Sequence, residues 1–311
     1  MPRRIAFVAV GALTILTWAA PRAQTVTIRV AGFQTPESVV HDAVMDEYLV
    51  SNIGPGNPGA LDHNGFISRV RPDGTIAQLK WIQDGVNGVT LNGPKGIWLF
   101  NDALYVADID TLRVFDRFTG APRTSIPFPN PFAPHALFLN DVVVSQDGTA
   151  YVTDNANSGV FRVDRTGIPS VVAIGDQLHA PNGVFADGVN VSWVTWIGHQ
   201  VLRTNPSGKI FTIATLPAPD VSQFGLPAGT LLMDGYVHLP DDSLLVSSWV
   251  TGAVYRISPS RKRISVIAQF VSLFDNPNNP DGPADINVDL VRDRLLVPLF
   301  DANQLVIMPL H

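Results

Sequence analysis

Short runs of β-branched and aromatic residues, closed by Gly, Pro, Asn and Asp, recur along the whole chain, and no long, capped stretch has the 3.6-residue period of an amphipathic helix. One phrase returns six times: Tyr48-Leu49-Val50-Ser51, Leu104-Tyr105-Val106-Ala107, Ala150-Tyr151-Val152-Thr153, Ser192-Trp193-Val194-Thr195, Leu244-Leu245-Val246-Ser247 and Leu295-Leu296-Val297-Pro298. Valine stands third in each, and the valines are 56, 46, 42, 52 and 51 residues apart. Such a period, holding several short strands, predicts the blades of a propeller. Each phrase precedes another strand candidate, such as Gly159–Val163 or Ala253–Ile257, and follows an apolar segment that ends in a turn signal such as Gln146-Asp147-Gly148. The expected architecture is all-β: a six-bladed β-propeller of four-stranded antiparallel blades. Only three residues follow Leu305 to Met308, so the last blade lacks a strand. Thr25 to Val30 is expected to supply it and close the ring, leaving no open sheet edge at the seam.

Composition adds a compartment. Arg3 and Arg4, the apolar run Ile5 to Ala20 and the small-residue stretch before Gln24 predict a signal peptide at 1–23, with the propeller over 24–311. Residues 1–23 carry three arginines and no acid, so the mature chain has 18 basic and 27 acidic residues, a balance of −9. That charge, without a basic stripe, excludes nucleic acid as a partner. The apolar run is short for a span, so no membrane association is expected after cleavage. The chain has no cysteine, which excludes disulfides, thiolate metal sites and a cysteine nucleophile. The protein is expected to be exported, to the periplasm or beyond.

Candidate chemistry lies upstream of the valines. Asn140, Asn182, Asp234 and Asp285 each stand twelve residues before one, and Glu37 stands thirteen before Val50. The second blade has Pro94-Lys95-Gly96 in this region, with Lys95 eleven residues before Val106. Residues at the start of each innermost strand share one mouth of the channel. Glu37, Asn140, Asn182 and Asp234 would converge there as two carboxylates and two amide oxygens, which suit calcium; the absence of Cys and His at these positions argues against zinc. Asn182-Gly183 and Asp234-Gly235 are also common turn dipeptides, but four oxygen donors at one blade phase favour a metal site.

Pro36-Glu37-Ser38, Leu139-Asn140-Asp141-Val142, Pro181-Asn182-Gly183-Val184, Met233-Asp234-Gly235 and Pro283-Ala284-Asp285-Ile286 resemble, in order and spacing, the senescence marker protein, gluconolactonase and luciferin-regenerating-enzyme-like family. The resemblance covers essentially the whole mature chain. It implies one divalent ion and hydrolysis of lactones, with Glu37, Asn182 and Asp234 as core ligands, Asn140 as a fourth or water-mediated ligand, and Asp234 as general base. Asp285 is the alternative base. The chain departs from the sugar-lactonase pattern at Phe138, where those enzymes often carry a sugar-holding arginine, and at Asp285, where some related propellers have a catalytic histidine.

Loops after the valine phrases return to the same mouth. Asp154, Trp196, Trp249 and Phe300, with Phe138, are therefore candidate lining residues of a pocket suited to an apolar or aromatic lactone or ester. A propeller that binds a ligand or partner without catalysis, around a structural ion, stays open at this level.

Overall fold

Each of the six valine phrases forms the second strand of a four-stranded antiparallel sheet. In this computed structural model the described residues are 26–130, 135–188, 190–205 and 207–310. The signal peptide expected at 1–23 lies outside them. Blade 1 runs Pro36–Asp42, Glu47–Asn52, Phe66–Val70 and Ile76–Gln83 outward from the axis. Blades 2 to 5 repeat this meander from inner strands Pro94–Phe100, Leu139–Val144, Pro181–Asp187 and Met233–His238.

The sixth blade is composite. Asn287–Asp289, Arg294–Leu299 and Gln304–Pro309 are completed by the N-terminal strand Ile28–Ala31, which pairs antiparallel with the last strand, Ile28 opposite Ile307. The expected closure is therefore present, although Thr25 falls outside the described residues. The seam is also tied at the axis, where Ser38 of blade 1 bridges Asp285 of blade 6 in parallel.

Burial explains the strand grading. The inner and second strands of blade 3 are wholly buried, whereas the outermost strand of blade 2, Pro122–Pro127, is almost entirely exposed. Side chains of the middle strands fill the spaces between blades; Val194 and Val201 of blade 4 pack with Tyr236, Leu244 and Val246 of blade 5. Trp193 is fully buried and its indole donates to the Leu178 carbonyl at 3.1 Å, satisfying the polar end of a large apolar group. Burial of each such side chain contributes about 1.5–3 kcal/mol. Among the described residues no helix is long and apolar enough to cross a membrane.

Candidate metal centre and substrate cavity

The inner strands share an irregularity. In blades 1 to 5 the ladder to the second strand slips by one residue just after its first pair, between Pro36 and Val39, Pro94 and Ile97, Leu139 and Val142, Pro181 and Val184, and Met233 and Tyr236. Each slip is a β-bulge, a device that re-aims side chains at the rim of a sheet. Its two residues divide between two layers. The first layer is Glu37, Lys95, Asn140, Asn182 and Asp234, and all five line one cavity of about 370 Å³. The second is Ser38, Gly96, Asp141, Gly183 and Gly235, set deeper, where neighbouring strands touch. A Cβ at Gly235 would strike the backbone of Ile286 and Ala284, and one at Gly183 that of Asp234 and Tyr236.

Four of the buried polar atoms left unpaired among the described residues belong to the first layer. Glu37 Oε2, Asn140 Oδ1, Asn182 Oδ1 and Asp234 Oδ1 are all buried without a hydrogen-bond partner, a state that ordinarily costs about 1–3 kcal/mol per group. Four such oxygens on one cavity are of the kind that a hard divalent cation takes. Among the described residues no three His, Cys, Asp or Glu side chains gather as a metal site; here two carboxylates are completed by two amides.

Charge at the axis is correspondingly strained. Burial, then the charges of Asp234 and Asp285, holds Glu37 well above the usual carboxylate range. Burial and then Asp285 push Asp234 up to about 8, against the side chains of Trp249 and Asn182. Burial lifts Asp285 to about 7, and burial with the Asp285 charge raises Asp141 strongly. A cation would relieve all four.

Of the residues expected to line the pocket, Phe138, Trp196, Trp249 and Phe300 do so. The rings of Trp196, Trp249 and Phe300 form a continuous wall across three blades, with centroids 5.7 Å apart for Trp196–Trp249 and 4.9 Å for Trp249–Phe300. The long loop after Ile53 reaches the cavity wall. Pro58 lines the cavity, and a Cβ at Gly59 would meet the Phe138 ring at 3.4 Å.

Two expected site residues sit elsewhere. Asp154 is fully buried and is not on the cavity; its carboxylate accepts the Phe138 and Asn157 amides, each at 3.2 Å, so it anchors Phe138 from behind. Its neighbour Asn155 lines the cavity instead. Asp285 is likewise not among the lining residues, and its carboxylate accepts the Ser38 hydroxyl at 2.5 Å. In blade 6, Pro283 pairs with Leu299 and Asn287 with Leu296, the same one-residue slip. The first bulge residue there is Ala284, and Asp285 belongs to the deeper layer with Ser38 and Asp141.

Lys95 is the ring member that counting from the valines did not assign to the site. It is 1% exposed, between Glu37 of blade 1 and Asn140 of blade 3 in ring order. Burial pulls its ammonium down to about 8, against the charges of Glu37 and Asp108. The sequence did hold a signal: proline precedes the ring residue in Pro36-Glu37, Pro94-Lys95, Pro181-Asn182 and Pro283-Ala284. Counted from proline, Lys95 falls in the ring and Asp285 one place beyond it.

A larger open groove, about 790 Å³, runs between the outer strands of blades 2 and 3, and none of the ring residues lines it.

No protein-family model and no curated protein matches the sequence. Solved structures do match in fold. A gluconolactonase from Xanthomonas campestris aligns at 18% identity over 95% of this chain and 93% of its own, with a TM-score of 0.63. Virginiamycin B lyase from Staphylococcus aureus aligns at 13% identity over 93% of this chain and 100% of its own, with a TM-score of 0.62. A catalytically inactive variant of that lyase with quinupristin gives 14% identity, 93% and 100% coverage, and a TM-score of 0.57. The chain thus has the fold of a gluconolactonase and of an antibiotic lyase.

Proposed function

We propose that the protein is an exported, calcium-dependent hydrolase of lactones or related esters. The observation that carries this reading is the set of four unpartnered oxygens, Glu37 Oε2, Asn140 Oδ1, Asn182 Oδ1 and Asp234 Oδ1, on one aromatic-walled cavity. Support in fold comes from the gluconolactonase likeness.

Glu37, Asn140, Asn182 and Asp234 would hold the ion, and calcium fits an all-oxygen set without Cys or His. Bound there, a divalent cation supplies Lewis-acid polarisation of a carbonyl oxygen, worth several kcal/mol in the transition state. The remaining roles fall to the chain. Trp249 donates its indole N–H to Asp234 Oδ2 at 2.8 Å and fixes the carboxylate. The Asp234 carboxylate accepts the proton of the water that attacks the carbonyl carbon and returns it to the departing alkoxide. Phe138, Trp196, Trp249 and Phe300 exclude bulk water and select an apolar or aromatic substrate.

The test is a panel of lactones and aryl esters offered to metal-stripped protein, with each divalent metal restored in turn. Hydrolysis restored by calcium is expected. At saturating metal, Asp234→Asn should lose at least about a hundredfold in turnover, and Asp285→Asn should stay near wild type. The reverse pattern would move the base to Asp285. No hydrolysis across the panel would leave a ligand-binding propeller with a structural ion.

A further inference from the structure

The ring of five cavity-facing residues contains four oxygen donors and one cation, and the cation has one hydrogen bond and one ring contact but no ion pair. Lys95 Nζ donates to the Gly93 carbonyl at 3.1 Å and lies 4.2 Å from the centroid of the Phe138 ring. Among the described residues no carboxylate oxygen lies within ion-pair reach of it. The acidic groups whose charges act on it are Glu37 and Asp108. Asp108 accepts the Asn92 and Gly93 amides, each at 2.9 Å, and Arg113 at 3.0 Å. Glu37 is an ion donor in the reading above. An ammonium has three N–H donors, so two remain on a side chain that is buried at the cavity wall.

A buried charge without a hydrogen-bonded counter-ion is costly, and the cost is out of place if Lys95 only fills space. The position itself asks for no lysine, because the equivalent residues are Glu37, Asn140, Asn182, Asp234 and Ala284. Beyond the ring residues the cavity wall is apolar, with Ile53, Pro58, Phe138, Trp196, Trp249 and Phe300, except for the amide of Asn155. In such surroundings a single hydrogen-bonded ion pair discriminates strongly between an anion and its neutral isostere.

We propose that Lys95 is the anion-recognition residue of this cavity, and that the substrate is an apolar or aromatic ester or lactone carrying a carboxylate, which Lys95 Nζ binds. As a statement about substrate it rests on the hydrolase reading; as a statement about binding it does not.

The two are separated by measuring binding apart from turnover. Calcium-saturated wild-type protein is titrated with hydrocinnamate and with hydrocinnamamide, followed by calorimetry and by quenching of Trp196 and Trp249. The carboxylate should bind at least about tenfold more tightly than the amide. Lys95→Met should abolish that preference and leave amide affinity unchanged, whereas Lys95→Arg should keep it. In hydrolysis, para-nitrophenyl hydrogen succinate should exceed para-nitrophenyl butyrate in kcat/KM, with the difference in KM and lost in Lys95→Met. Equal binding of acid and amide by wild type overturns the proposal, even if Lys95→Met fails to fold. A preference that persists in Lys95→Met also overturns it, because the carboxylate then sits on the ion. An effect of Lys95→Met on kcat alone, equal for both esters, overturns it in favour of carbonyl polarisation. Carboxylate preference without hydrolysis of any ester supports anion recognition and removes the hydrolase reading.

Discussion

Trp249 Nε1 lies 2.8 Å from Asp234 Oδ2, so one residue of the aromatic wall also clamps a carboxylate of the oxygen ring. The clamp leaves Asp234 Oδ1 unpaired toward the cavity. Substrate wall and candidate metal centre are therefore one mechanical unit. Trp249→Phe keeps the ring and removes the donor. Calcium affinity should fall about tenfold to a hundredfold, as is typical when a partner that orients a ligand is lost. Calorimetry checks this, and an unchanged affinity would mean that the indole acts on substrate alone.

Glu37→Gln and Asp234→Asn each remove one buried charge while keeping an oxygen. Calcium affinity should fall at least about tenfold in each, since a charged donor becomes neutral. The metal-free proteins should melt higher than metal-free wild type, because an uncompensated buried carboxylate is gone. Opposite shifts in the two measurements are the signature of an ion site; a lower melting temperature in chelator would argue that the carboxylates are structural.

The pH dependence follows from the direction of the shifts. Asp234 and Asp285 are raised from 3.8 to about 8 and about 7. The folded protein then holds protons that the unfolded chain has released. The contribution of these two groups to stability without metal is fully present below about pH 4 and is lost as pH rises through about 7 to 8. Calcium binds the deprotonated ring, so its stabilising effect should be largest at the upper end of this window. Melting curves at about pH 5 and pH 8, with chelator and with calcium, measure both. A metal-free protein more stable at pH 8 than at pH 5 would contradict the strained charge at the axis.

Gly235 marks a close approach of blade 5 to blade 6. Its added Cβ would lie 2.8 Å from Ile286 Cγ1 and 2.9 Å from the Ala284 carbonyl, and nearer still to the Ile286 amide. Gly235→Ala must push blade 5 from blade 6 beside Asp234. A loss of about 1–3 kcal/mol is expected, as for other overpacked cores, together with weaker calcium binding. Gly208→Ala is the comparison, since nothing lies within 4 Å of a Cβ there; its positive φ of 77° gives it strain without a clash.

Read along the chain, the six valine phrases already determine six blades, because a buried strand needs β-branched residues at a fixed phase. The same phase finds Glu37, Asn140, Asn182 and Asp234, since chemistry at a channel mouth repeats with the blade. The aromatic lining was legible for Trp196, Trp249 and Phe300, because their loops return to the same mouth, and for Phe138 through its place two residues before Asn140. Counting from the valines fails where the hairpins differ. Glu37 and Ala284 stand thirteen residues before Val50 and Val297, but Lys95 stands only eleven before Val106. One residue of difference exchanges the two bulge positions, so Asp285 reads as a ring member although its ladder places it in the deeper layer with Ser38. Only the tertiary structure decides which bulge residue faces the cavity, because hydrogen-bond register, not sequence distance, sets the direction of a side chain. It alone places Asp154 behind Phe138, sets Pro58 on the cavity wall and brings Lys95 into a ring otherwise built of oxygens.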